Sequence, residues 1–341
     1  MAEQSKIEWT DSTWNPVTGC TRVSPGCAHC YIERTPPFRM NGRTFARVGN
    51  EETTGVMLHH DRLEQPLHWT KPRRVFVCSL ADLFHDDVPV AYIAEVFGRM
   101  ALAHRHVFQV LTKRPEGMRE VLTNPFFWAK VEGVAQRVTF ETTGEDTSET
   151  LAVHGPLPNV WLGVSIENAR YTWRADVLRE IPAALRFISA EPLLESLYPT
   201  GAFLEPAATV KIEGVGAWNA LVKSKRPLDL TGIDWIIVGG ESGPGARPMR
   251  IEWAREIIRR CDPYEPVCCG NRDGECCNEP VPRGQIEPVT AVFVKQLGSR
   301  PTSDHELGPF PLSLRDSKGG DWDEWPPDLR VRDFPASMVA A

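Results

Sequence analysis

Short unbroken apolar runs recur along the chain, each followed by a polar turn and usually by residues spaced as on one helix face. Residues 75–79 (VFVCS) are β-branched and continuous, the pattern of a strand buried on both faces. Pro89 then opens a helix in which Ile93, Val96, Phe97 and Met100 repeat at helical spacing. Residues 106–112 predict the next strand, Pro115 starts a helix through Val121, and residues 127–138 predict another. Residues 141–158 read as a polar linker. Further strands are predicted at 160–165, 185–189, 233–238 and 291–295. A helix from Asn168 to about Glu180 stops before Pro182, and residues 251–260 form one more.

Strand alternating with helix predicts a parallel sheet covered by helices. With a short first strand near residues 13–17, the units suggest an α/β fold: a full or partial (βα) barrel, TIM-like, with loop insertions. A doubly wound open sheet is the alternative, because pattern alone does not reveal closure. The expected organisation is one barrel-like domain over residues 1–300, with insertions at about 198–231 and 262–290. Residues 301–341 form a tail rich in proline and charge, expected to pack loosely.

In either fold, functional groups gather beyond the C-terminal ends of the strands. Polar residues stand there: Ser79 and Asp82; Thr112, Lys113 and Arg114; Ser165, Glu167 and Asn168; Glu191; Gly239, Gly240 and Glu241; Lys295 and Gln296. The run GGESGPG from Gly239 lets a ligand approach the backbone, or is a simple turn. It matches neither a Walker loop nor a complete GxGxxG fingerprint.

Three cysteines, Cys20, Cys27 and Cys30, fall within 11 residues just after the first predicted strand. Pro25-Gly26 turns the chain so that the first thiol can fold back over the other two. Three thiolates on a 4Fe–4S cube leave one iron free to chelate a small molecule. Zinc is the rival reading, with His29 or a distant residue as fourth ligand, and buried structural thiols are the third. A second group, Cys268, Cys269, Cys276 and Cys277, lies across a glycine turn and offers a second metal site for zinc or a cluster, or is a surface loop with incidental thiols. Cys78 is expected inside a buried strand, as packing. His59 and His60 are adjacent, unlike the i, i+4 pair of a zinc helix, and are read as ordinary histidines.

Composition narrows the setting. A chain of 341 residues with net charge −7 is no general polyanion binder, although a local basic cleft remains open to it. No apolar run approaches the roughly 20 residues that cross a bilayer, and the N-terminus lacks a signal peptide's order. The expected location is cytoplasmic and off the membrane, where nine cysteines are reduced, metal-bound or catalytic rather than paired.

The cysteine loop resembles that of the radical S-adenosylmethionine superfamily, where three cysteines precede a partial (βα) barrel. His29 fills the superfamily's aromatic slot, and the first spacing is six residues where three are usual. More closely, the chain resembles the phage and prophage three-Cys-motif family of uncharacterised proteins. The matching segments are WNPVTGC ending at Cys20, SPGC ending at Cys27, Cys30-Tyr31, LTKR ending at Arg114, LGVS ending at Ser165, SAEP from Ser189, VGGESG from Val238 and FVKQ from Phe293. The resemblance implies a 4Fe–4S cluster on Cys20, Cys27 and Cys30, S-adenosyl-L-methionine on the open iron, an electron donor, and a 5′-deoxyadenosyl radical that abstracts a substrate hydrogen. It places His29, Ser79, Asp82, Ser165, Gly239, Gly240 and Glu241 at the cofactor. Glu241 or Asp82 would take the methionyl amine, and Lys113 or Arg114 its carboxylate or a substrate phosphate. Lys113, Glu167, Glu191 and Lys295 are the catalytic candidates. The substrate is unknown, with a nucleic-acid component as the working guess. A non-enzymatic metal-stabilised module that binds nucleic acid or a partner protein, and a zinc-dependent barrel hydrolase, are the competing readings.

Overall fold

The computed structural model describes residues 5–199, 225–261 and 290–335. They fall into two compact units. The first runs to Glu167 and includes Tyr171–Ser189; the second comprises Asn168–Arg170 and the chain from Ala190 onward.

The first unit is built on strands β1 (Ser12–Trp14), β2 (Arg74–Val77), β3 (Val107–Thr112), β4 (Val160–Ser165) and β5 (Leu185–Ala190). Every pair is parallel, and spatial order follows chain order: β1 on β2, β2 on β3, β3 on β4, β4 on β5. A doubly wound sheet reverses its order at a switch point. Here each strand is added beyond its predecessor, the winding of a partial (βα) barrel, so the expected α/β class holds. All six residues of β4 are buried, which explains the absence of polar alternation in its sequence.

Helices α1 (Val90–Leu102), α2 (Pro115–Leu122), α3 (Pro125–Thr143) and α4 (Trp173–Arg179) follow the strands. α1 and α3 pack through Phe97 and Phe127, edge to face at 5.4 Å. α3 is longer than the sequence suggested. The Asn124 side chain caps its start, and Gly144, at φ +76, ends it with an N–H donated to Phe140. Its last turns look polar, but the hydroxyls of Thr139, Thr142 and Thr143 each donate to a carbonyl four residues back, at 2.9, 2.7 and 2.9 Å. The expected linker therefore begins only after residue 143.

Cys78 also departs from expectation. It is buried, but it stands just past β2 in the left-handed region, φ +57. Its N–H donates to Trp14 O at 2.8 Å and its carbonyl accepts from Ala81 at 3.0 Å. These bonds offset a backbone cost of roughly 1 kcal/mol, and the turn they close carries Ser79 and Leu80.

In the second unit, β6 (Trp235–Gly239) and β7 (Ala291–Gln296) run parallel, and α5 (Ile251–Cys261) lies between them in the chain. The tail is not loose over its described part. Pro301–Ser303 pairs with Met249–Arg250 and with Phe310–Pro311. Trp325 and Leu329 are buried, and the Arg332 guanidinium lies over Phe293, Trp322 and Trp325 at 5.5, 5.2 and 5.4 Å. Large apolar side chains among the prolines and charges account for this packing. No described helix is long and apolar enough to cross a membrane.

Gly163, in the middle of β4, has no room for a side chain: a Cβ there would meet the Phe187 ring at 2.5 Å. Gly163→Ala is expected to cost about 1–3 kcal/mol by overpacking, read as a lower urea midpoint with unchanged slope.

Candidate functional site

The cysteine loop leaves β1 through Asn15 and Pro16. Strand Val17–Thr18 pairs with Met57–Leu58 and leads into Gly19, at φ +96. A Cβ on Gly19 would lie 1.7 Å from Gly55 O, so only glycine lets the two backbones meet. Cys20 is then stitched to its neighbour: its N–H donates to Thr54 Oγ1 and its carbonyl accepts from Thr54 N–H, both at 3.0 Å. Pro25–Cys27 forms a 3-10 turn, with Cys27 N–H on Ser24 O at 2.9 Å and Cys30 N–H on Cys27 O at 3.3 Å. Asn15 Oδ1 accepts from Ser79 Oγ at 3.2 Å and Leu80 N–H at 2.9 Å, and the Tyr31 hydroxyl donates to Ser79 O. The end of β2 is thereby tied to both ends of the loop.

Two buried carboxylates hold the loop itself. Asp82 accepts from Thr112 Oγ1 at 2.7 Å and Phe84 N–H at 3.0 Å on one oxygen, and from Lys113 N–H at 3.0 Å and an Arg114 amine at 3.1 Å on the other. Arg114, so oriented, donates to Thr21 O at 3.1 Å and reaches Cys20 Sγ at 3.8 Å. His85 Nε2 meets Thr21 Oγ1 at 2.8 Å. Glu167, wholly buried, pairs with Arg174 at 3.0 Å and accepts from Gly26 N–H at 3.3 Å and from Ser24. A Cβ on Gly26 would touch this carboxylate at 3.2 Å. Burial alone would raise the Glu167 pKa; the charges of Arg174 and Lys113 and the bonds from Ser24 and Gly26 outweigh it, and the net shift is downward.

Burial pushes the Cys20 thiol up to about 12, and Asp82 and Cys27 add to the rise while Arg114 opposes it. Cys30 is raised as well, by burial first and by Cys27, against the Ile32 backbone N–H and the charges of Lys113 and Arg22. Cys27 is therefore within electrostatic reach of both other thiols. Among the described residues, no three His, Cys, Asp or Glu side chains form a ready metal cage. The donor set nevertheless suits a thiophilic iron centre: soft sulfurs on one anchored loop, flanked by Arg114, Lys113 and Arg22, whose charges compensate thiolates. His29 is half-buried on the same loop.

Of the predicted site residues, the structure brings Ser79, Asp82, Lys113 and Glu167 to this loop. Ser165 ends β4 beside it, and its carbonyl accepts from Arg174 at 2.8 Å. Asp82 has its oxygens filled by four protein donors. In the second unit, Lys295 pairs with Glu191 at 2.6 Å, and Gln296 Nε2 donates to Gly240 O at 2.9 Å. A Cβ on Gly239 would meet Glu191 at 3.2 Å, and one on Gly240 would strike Leu297 O at 2.3 Å. Glu241 accepts from Arg247 through the backbone N–H at 2.8 Å and the guanidinium at 3.0 and 2.6 Å, which closes the glycine loop on itself. Cys268, Cys269, Cys276 and Cys277 lie outside the described residues. His59 meets Thr18 Oγ1 at 2.8 Å, an ordinary polar contact. Sequence reasoning missed Arg174, Asn15, Thr21 and Ser24. Arg174 sits seven residues after Glu167 on a short helix, a weak signal; Asn15 and Ser24 lie in segments that carry the family resemblance, and Thr21 has no signal until the loop is folded.

The chain belongs to the family described as "Protein of unknown function (DUF5131)", whose model matches residues 4–268. No curated protein matches it. Its fold is similar to that of a spore photoproduct lyase mutant, with 11% identity and a TM-score of 0.38, over 96% of this chain and 74% of that one.

Because its folded pKa is depressed, the Glu167 carboxylate contributes stability that is present above the unfolded carboxylate pKa, about 4.3, and is lost as pH falls through the lower folded value. Glu167→Gln leaves Arg174 buried without a counter-charge, at a cost on the order of 3 kcal/mol at neutral pH. Melting curves from pH 7 down to pH 3 should show the gap between wild type and variant narrowing with acid; a constant gap would contradict the assignment.

Proposed function

We propose that the protein is an iron–sulfur enzyme in which Cys20, Cys27 and Cys30 ligate three irons of a 4Fe–4S cluster and S-adenosyl-L-methionine occupies the fourth. The observation that carries this reading is the anchored loop: three thiols on 11 residues, with Cys27 in electrostatic reach of the other two and cations beside them. When bound, such a cluster would supply the electron that cleaves the sulfonium, with an external reductant renewing it. The protein's part is to hold the sulfurs, to exclude water, and to balance charge. Lys113 has the best claim to an anionic group of cofactor or substrate. It is half-buried, forms no salt bridge with a described residue, and its charge reaches Cys30 and Glu167. Arg114 is already committed to Asp82. Glu191 and Lys295, paired at 2.6 Å, are proposed as a proton-handling couple. A phage or prophage setting and a nucleic-acid component as substrate belong to the same proposal.

Anaerobically purified protein is expected to carry about four irons and four sulfides per chain and, with dithionite and S-adenosylmethionine, to release 5′-deoxyadenosine. Cys27→Ser should lose the cluster and the product while staying folded by circular dichroism. Zinc without iron, or hydrolysis that needs no reductant, would overturn the reading.

A further inference from the structure

The three thiols are not equivalent. Cys27 has the Ser24 hydroxyl at 3.8 Å, and Cys30 has the neutral backbone N–H of Ile32. Cys20 has a guanidinium at the same distance, and that guanidinium is held from several directions. Its NH1 also meets Asp82 at 3.1 Å, its NH2 meets Thr21 O at 3.1 Å, and its own backbone N–H donates to Thr112 Oγ1 at 2.8 Å. Thr112 in turn donates to Asp82 at 2.7 Å. Arg114 is thus locked at backbone and tip, with one amine left leaning on a single sulfur. The Arg114 side chain is 12% exposed and that of Asp82 7%, so water screens the contact little.

We infer that Arg114 is a positioning residue for one ligand of the metal centre: held by Asp82, Thr112 and Thr21, it donates a charged N–H···S bond to Cys20, which sets that sulfur apart from the other two and raises the potential of the cluster. The inference rests on the cluster reading above. An N–H donor and a positive charge beside a ligating sulfur both favour the more reduced, more negative cluster and so raise its potential. A lysine at the same place keeps the charge but not the planar fork that engages Asp82, Thr21 and Cys20 together.

The test uses full-length wild type, Arg114→Met and Arg114→Lys, reconstituted without oxygen with iron and sulfide. Iron and sulfide are counted per chain, folding is checked by circular dichroism, and midpoint potentials come from redox titrations followed by electron paramagnetic resonance. The Met variant should show a more negative potential than wild type, with the Lys variant between the two. Equal potentials in wild type and the Met variant would overturn the inference while leaving the cluster reading intact. Should the Met variant fail to fold, the Lys variant decides: a potential displaced below wild type supports the role, and an unchanged one refutes it. A wild-type chain that takes up no iron overturns the cluster reading itself.

Discussion

A carboxylate with no exposure stays charged only if cations and N–H groups stand where its water stood. That constraint organises the first unit. Glu167 meets it with Arg174, Gly26 and Ser24, and Asp82 meets it with Arg114, Thr112 and two backbone N–H groups. In both cases some of the required donors, or groups held by them, lie on the cysteine loop. The strands therefore do more than display the loop at their C-terminal ends. Glu167 draws Gly26 and Ser24 from the loop, and the Arg114 that pairs with Asp82 is itself held by the loop's Thr21 carbonyl, so the loop is part of what allows those charges to be buried.

The spacing of the first two cysteines fits this account. Six residues separate Cys20 from Cys27. Thr21 takes Arg114 on its carbonyl and His85 on its hydroxyl. Arg22 donates its N–H to Glu52 O at 2.9 Å, and Ser24 and Gly26 serve Glu167. A shorter connection would have to omit some of these contacts. Gly26 shows how close the fit is, because a Cβ there would press on the Glu167 carboxylate at 3.2 Å. The length of the segment is thus tied to the fold beneath it, whatever it binds.

The strands and the order of elements were legible because parallel, doubly buried strands leave continuous apolar runs with little polar alternation, as in β4. Element ends were less so. Residues 141–143 look like linker, yet the hydroxyls of Thr142 and Thr143 bond to the helix backbone. The residues of the candidate centre were legible as polar strand ends, but their division of labour was not. Asp82 and Glu241 look like ligand-binding acids in sequence, and each pairs with an arginine, Arg114 from 32 residues away and Arg247 from six. Spacing does not say which acid finds a cation inside the protein. Lys113 and Arg114 are adjacent and of like charge, but only one is spoken for by Asp82.

The raised thiols carry the argument one step further. Burial makes Cys20 and Cys30 reluctant to ionise, and Cys27, in reach of both, adds to that reluctance. Three thiolates together on this loop would be costly without a cation among them. Arg114, Lys113 and Arg22 offset part of the cost from outside the group, but none of them bridges all three sulfurs. The proposed metal centre would, and its binding would expel the thiol protons that burial otherwise retains. The same burial that keeps the free thiols protonated would strengthen their hold on such a centre, because the low dielectric that penalises a lone thiolate also strengthens its attraction to a cation.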